Sequence, residues 1–158
     1  MKVSNISLAD NVEIGQQTTI NNVAIGKNVK ISQFCSVYGG PEHILEIGED
    51  SYIGMYSYIN GYNAKLSIGK RVSIAQHVSI MTDSGPNASK KMQKYYPVKK
   101  KRVIISDDCW VGIGAVIMPG VVLGRCSVVA ANSFVNRSFP AYSVIGGTPA
   151  KLIKTLNK

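Results

Sequence analysis

The sequence predicts an all-β chain wound as a single parallel β-helix of hexapeptide repeats. Three observations lead there. An aliphatic residue recurs every six positions along most of the 158 residues. Seven of these anchors are followed directly by Gly, namely Gly15, Gly26, Gly48, Gly54, Gly69, Gly112 and Gly124. The residue four after each anchor is small or modest in size. A six-residue period fits neither a helix nor a two-sided strand. It marks a solenoid whose unit is one short strand plus a turn. An ordinary sandwich of short strands is disfavoured because every anchor is aliphatic and none is polar.

The anchors fall into six coils of three. They run Leu8, Ile14, Ile20; then Ile25, Ile31, Val37; then Ile47, Ile53, Ile59; then Ile68, Ile74, Ile80; then Ile105, Val111, Ile117; then Leu123, Val129, Val135. Anchor and fourth residue both point inward, the latter exemplified by Val29, Cys35, Ser51, Ser57, Val72, Cys109 and Ala115. Gly after the anchor suits tight backbone at a corner. Three hexads close a triangle, and successive coils pair as parallel strands about 4.8 Å apart. Residues 1–158 are read as one domain with an ample core.

The register breaks after Ile20, Val37, Ile59 and Ile80, each the third anchor of its coil. The irregular segments therefore stack at one vertex. The first is a deletion; the others are insertions at 38–46, 60–67 and about 81–104. Loops on a rigid scaffold commonly carry function. This vertex offers His43, Asn60, Tyr62, Asn63, Thr82, Asp83, Ser84 and Asn87. The stretch Gly85–Pro86–Asn87 reads as a turn, and 85–101 as a projecting loop.

Net charge is +9 and uneven. Lys90, Lys91, Lys94, Lys99, Lys100, Lys101 and Arg102 lie in the long insertion without an acidic residue between Ser84 and Arg102, and Lys151, Lys154 and Lys158 form a second cluster. Such runs are either solvated surface or a site for a phosphorylated ligand. Nucleic acid is disfavoured, because aromatics near the basic run are few and no nucleic-acid motif appears. No apolar run reaches spanning length, so an integral membrane protein is not expected. The opening Met1–Lys2–Val3–Ser4 has no apolar signal segment. Three cysteines without metal-ligand spacing fit reduced thiols in the cytoplasm.

From Trp110 to Lys151 the runs W-V-G-I-G-A-V-I-M-P-G-V-V-L-G, S-V-V-A-A-N-S-F-V and V-I-G-G-T-P-A-K resemble the hexapeptide-repeat acyltransferases. The kinship is with maltose, galactoside and xenobiotic acetyltransferases and polysaccharide O-acetyltransferases. The resemblance implies a left-handed β-helix, a homotrimer, and acetyl-CoA or another acyl-CoA as co-substrate, with no metal. It implies acylation of a hydroxyl or amine on a sugar or nucleotide-sugar. The cofactor would lie between neighbouring prisms, its adenine end at Gly147, Thr148, Pro149, Ala150 and Lys151. Lys151 and Lys154 would meet the phosphates as point charges, with Arg137 and Ala131 as further cofactor-side candidates. A short helical cap is expected over about 149–158, since solenoids need their open ends covered.

The family's general base is a His in a Thr-His-like pair before the long loop. Here the alignment puts Gly85 at that position. The chain has two histidines. His77 follows the second anchor of its coil, hence another vertex, about 13 Å away along a strand. His43 shares the vertex of Asp83, two coils below, at about 10 Å of stacking. His43 is therefore the favoured base, with Asp83 orienting it or the substrate, and His77 second. Asn60, Tyr62, Asn63 and Asn87 are acceptor-side candidates. Trp110 lines an acceptor or pantetheine groove, or packs under the loop. Two other classes stay open. One is a CoA-binding or scaffold trimer that has lost catalysis. The other is a carbonic anhydrase of the γ type, which two histidines serve poorly because such zinc sites take three.

Overall fold

A computed structural model describes residues 4–157; Met1–Val3 and Lys158 of the C-terminal basic cluster lie outside the described residues. The chain winds through three parallel sheets that form the walls of a prism. The first wall stacks Ile6–Leu8, Val23–Ile25, Leu45–Ile47, Leu66–Ile68, Val103–Ile105 and Val122–Leu123. The third stacks Thr19–Asn21, Ser36–Gly39, Tyr58–Gly61, Ser79–Met81, Val116–Ile117 and Phe134–Val135. Equivalent anchors pair in register, as Ile59 with Ile80 and Ile80 with Ile117. The six-coil grouping of the anchors is reproduced wall by wall.

The core is the anchor column. From Ile25 to Val135 every anchor is buried, with Ile53, Ile59, Ile74 and Ile80 fully so. The first coil is not: Leu8 is 48% exposed, because nothing among the described residues stacks beneath it. The polar residues four after an anchor tie successive coils together. Ser51 Oγ donates to the Gly69 carbonyl at 2.9 Å, Ser57 Oγ to Ala75 at 3.1 Å, and Cys109 Sγ to Gly124 at 3.2 Å. Each acceptor is the residue just after an anchor in the next coil. Burial is thereby reconciled with polarity, and no buried side-chain N or O among the described residues lacks a partner.

The glycines act differently from expectation. Left-handed backbone falls on the third residue after an anchor, as at Asn28, Phe34, Asp50, Tyr56, Arg71, His77 and Asp108. Gly just after the anchor is needed for close stacking instead. A Cβ on Gly54 would lie 2.6 Å from the Ala75 carbonyl carbon in the coil above. The turn residues form ladders along two edges. Phe34, Tyr56 and His77 stack with ring centroids 5.0 Å apart at each step. On the other edge, Arg71 grips Asp108 in a bidentate pair at 2.7 and 3.0 Å.

Two features depart from the sequence expectation. A seventh, partial coil follows the sixth: Phe139 bridges Leu123 and Ile145 pairs with Val129. The expected C-terminal helix is a strand. Ala150–Thr155 folds back antiparallel on Ser143–Gly147, so a hairpin rather than a helix covers the second wall.

Candidate active site

All the insertions leave the third wall and re-enter at the first, so they share one vertex. The largest, residues 82–102, is an antiparallel pair of Asp83–Ser84 with Lys99–Lys100, crowned by one helical turn at Lys90–Gln93. Ser89 caps that turn, accepting from the Met92 N–H at 3.1 Å. The pairing places Asp83 opposite Lys100.

A hydrogen-bond chain crosses three coils here. Tyr38 Oη and Tyr58 Oη lie 2.6 Å apart. Asn60 Nδ2 donates to Tyr58 Oη at 3.1 Å and to Asp83 Oδ1 at 3.3 Å. Asn60 Oδ1 accepts the Tyr62 N–H at 2.9 Å, and the Asn60 carbonyl accepts from Thr82 Oγ1 at 3.2 Å. Burial pushes the Tyr38 phenol well above its ordinary range, helped by the Tyr58 hydroxyl and the Asp83 charge. Tyr38 therefore stays a neutral hydrogen-bonding group. Tyr38 and Tyr58 were not singled out from the sequence. The available signal was an aromatic on either side of a third anchor, at the mouth of the irregular vertex.

The candidate residues sort by position. Asn60 and Asp83 are joined directly. His43 lies in a neighbouring cavity, lined by Pro41, Glu42, His43, Tyr62, Asn63 and Lys100. Its backbone N–H and C=O both bond Gly40, at 3.0 Å each, and its ring makes no hydrogen bond to Asp83. Asn87 is exposed in the turn, where its N–H donates to the Gly85 carbonyl at 3.0 Å. His77 sits on the edge between second and third walls, stacked on Tyr56. Trp110 is 57% exposed on the outer face of the second wall, beside Ser73 and Val128, so it does not pack under the loop.

Gly85 fills the place where the resemblance puts a histidine. A Cβ there would lie 2.7 Å from Val98 Cα across the excursion. The position is closed to any side chain as the hairpin stands.

The cofactor-side candidates gather at the far end. Ala131 is exposed on the turn between second and third walls. Gly147 ends the strand above it with φ +105° and donates its N–H to Ser133 Oγ at 3.3 Å. Thr148 follows at the hairpin tip, and Lys151 and Lys154 are exposed on the returning strand. The Arg137 guanidinium lies 4.9 Å over the Phe139 ring. Among the described residues no group of His, Cys, Asp and Glu has the makings of a metal site.

Residues 102–137 match the family model described as bacterial transferase hexapeptide (six repeats). The chain is 29% identical to a dTDP-4-amino-4,6-dideoxy-D-glucose acyltransferase of Escherichia coli, over 96% of this chain and 83% of that protein. It is 31% identical to the putative lipopolysaccharide biosynthesis O-acetyl transferase WbbJ of Escherichia coli K12, over 87% of this chain and 59% of that protein. Its structure superposes on a point mutant of AntD, an N-acyltransferase from Bacillus cereus, solved with dTDP-4-amino-4,6-dideoxyglucose and coenzyme A. The TM-score is 0.84 at 26% identity, covering 96% of this chain and 84% of that one.

Proposed function

The chain is a hexapeptide-repeat acyltransferase, and we propose that it moves an acyl group from acetyl-CoA or another acyl-CoA to the amine of a nucleotide-linked sugar. The carrying observation is the Asn60–Asp83 pair at the open vertex. A hydroxyl acceptor needs a base as it attacks a thioester, and the ring of neither histidine bonds this pair. An amine is its own nucleophile once neutral. It needs a carboxylate to hold the ammonium and take up its proton, which Asp83 supplies through Oδ2 while Oδ1 stays on Asn60. The amine nitrogen then bonds the thioester carbonyl carbon and the C–S bond breaks; the second proton that the nitrogen sheds on becoming an amide passes to the leaving sulfur, so CoA departs as the thiol. The amine-bearing sugar named for two of the relatives supports this acceptor.

Arg137 sits between the third-wall strand Phe134–Val135 and the first-wall residue Phe139, at the vertex of Asp83; in this reading Ala131, Gly147, Thr148, Lys151 and Lys154 hold CoA. They lie on a different edge of the prism from Asp83, so the thioester and amine meet where one prism's edge faces the vertex of the next. That arrangement calls for a homotrimer. The exposed apolar band of Tyr52, Met55, Tyr56, Trp110 and Ile113 on the second wall and its edge supports such a contact. Three free cysteines, two of them buried, fit a reducing cytoplasm.

The test is CoA release with nucleotide-linked amino sugars against their hydroxyl counterparts, for wild type and Asp83→Asn. Turnover on amines that Asp83→Asn abolishes supports the reading. Turnover on hydroxyls alone overturns it.

A further inference from the structure

We propose that the cavity between the 41–44 insertion and the excursion is a phosphoryl site, in which His43 and Lys100 take the diphosphate of the acceptor's nucleotide. The inference rests on the nucleotide-sugar reading above and assigns a further part of the same site.

The first argument is adjacency. Two lining residues of this cavity, Tyr62 and Lys100, are each one link from the Asn60–Asp83 pair: Tyr62 through its N–H on Asn60 Oδ1, Lys100 through its strand pairing with Asp83. A ligand with an amine on Asp83 and an anionic group a sugar ring away meets this cavity next.

The second argument is charge. The chain's ion pairs among the described residues join Lys30 to Glu13, Lys65 to Glu46, Lys70 to Glu49 and Arg71 to Asp108. None reaches the seven cations of the excursion. Lys100 is thus held by a strand beside the site and makes no ion pair among the described residues. Glu42 is the one carboxylate lining the cavity, against Lys100 and the Lys99, Lys101 and Arg102 that flank it in the excursion. Clefts lined by uncompensated positive charge concentrate anions.

The third argument is His43. Its backbone is fixed by both bonds to Gly40, while its imidazole has no partner among the described residues. An N–H on a rigid turn pointing at no protein acceptor suits a phosphate oxygen.

Position separates this anion from CoA's. Lys151 pairs with Gly146 of the seventh coil from the strand beyond it, roughly five strand spacings or 24 Å above the His43 insertion. The phosphates of the donor and the acceptor therefore have separate cations.

The experiment is calorimetric titration of the full chain with dTDP, UDP, inorganic pyrophosphate and CoA, which needs no turnover. Lys100→Ala and His43→Asn are expected to raise Kd for the diphosphates about tenfold, with Kd for CoA within twofold. Lys91→Ala, on the helical turn outside the cavity, is expected to stay within twofold for all four. Diphosphate affinity unchanged in both cavity variants overturns the site. So does an equal loss in Lys91→Ala, which would make the attraction a diffuse field, or a matching loss for CoA, which would give the cavity to the donor. Wild type that binds diphosphates without turning over amino sugars would sink the acyl-acceptor assignment while leaving this site standing.

Discussion

Asn60 reaches across one coil boundary to donate Nδ2 to Asp83 Oδ1 at 3.3 Å. The two residues are 23 apart in sequence, yet the stacking of the third wall makes them neighbours. Asp83→Asn keeps the shape of this pair and removes the charge. With an amine acceptor, kcat is expected to fall by about a hundredfold, the low end of general-base effects. KM for the acyl-CoA should change less than threefold. Steady-state kinetics with each substrate varied in turn checks both.

Gly85 cannot simply be exchanged for the histidine that the resemblance places there. Its Cβ would press on Val98 backbone at 2.7 Å, so Gly85→His must spread the excursion. The variant is expected to gain no activity and to lose about 1–3 kcal/mol, the usual range for overpacking. Activity on a hydroxyl sugar together with denaturant unfolding decides this; increased hydroxyl turnover would contradict it.

Core substitutions should scale with depth in the stack. Ile74→Ala, at a fully buried anchor, is expected to cost about 2–5 kcal/mol. Leu8→Ala occupies the equivalent repeat position but is 48% exposed in the first described coil, and should cost less than about 1 kcal/mol. Urea unfolding of the two variants makes the comparison within one chain.

Burial pushes the Cys109 thiol up to about 11, from an ordinary value of 9.0. The folded state prefers the neutral thiol, so its contribution is fully present below pH 9 and is lost as pH rises towards 11. The melting temperature should fall through this window. Cys109→Ala should fall less steeply than wild type when both are scanned from pH 8 to pH 11.

What the sequence disclosed followed from the period. Anchors from Leu8 to Val135 set the walls and the shared vertex, because a strict repeat converts directly into stacking. It failed where the period lapsed. Phe139 follows Val135 by four residues rather than six and is aromatic, so the seventh coil hid. The run Lys151–Leu152–Ile153–Lys154 carries neither a clean alternation nor a helical face, and the turn at Gly147–Thr148 decides for a strand. Bulky Phe34, Tyr56 and His77 occupy left-handed turns, where side-chain chemistry argues for Asn or Gly. Stacking of their rings accompanies that choice. At the vertex, Asn60 and Asp83 were visible as same-corner residues. Tyr38 and Tyr58 were not, since an outward aromatic beside an anchor looks like ordinary surface.

The reversed last strand gives the molecule a direction. A column of parallel rungs is a template that any further matching rung could extend, as in fibril growth. At the second wall, the last rung among the described residues runs the opposite way and sets Lys151 and Lys154 along that margin. A copy arriving end-on finds its parallel register refused and like charges ahead of it, a known means of blunting a free edge. Adding coils to this stack is therefore expected to succeed between existing coils and to fail beyond the hairpin.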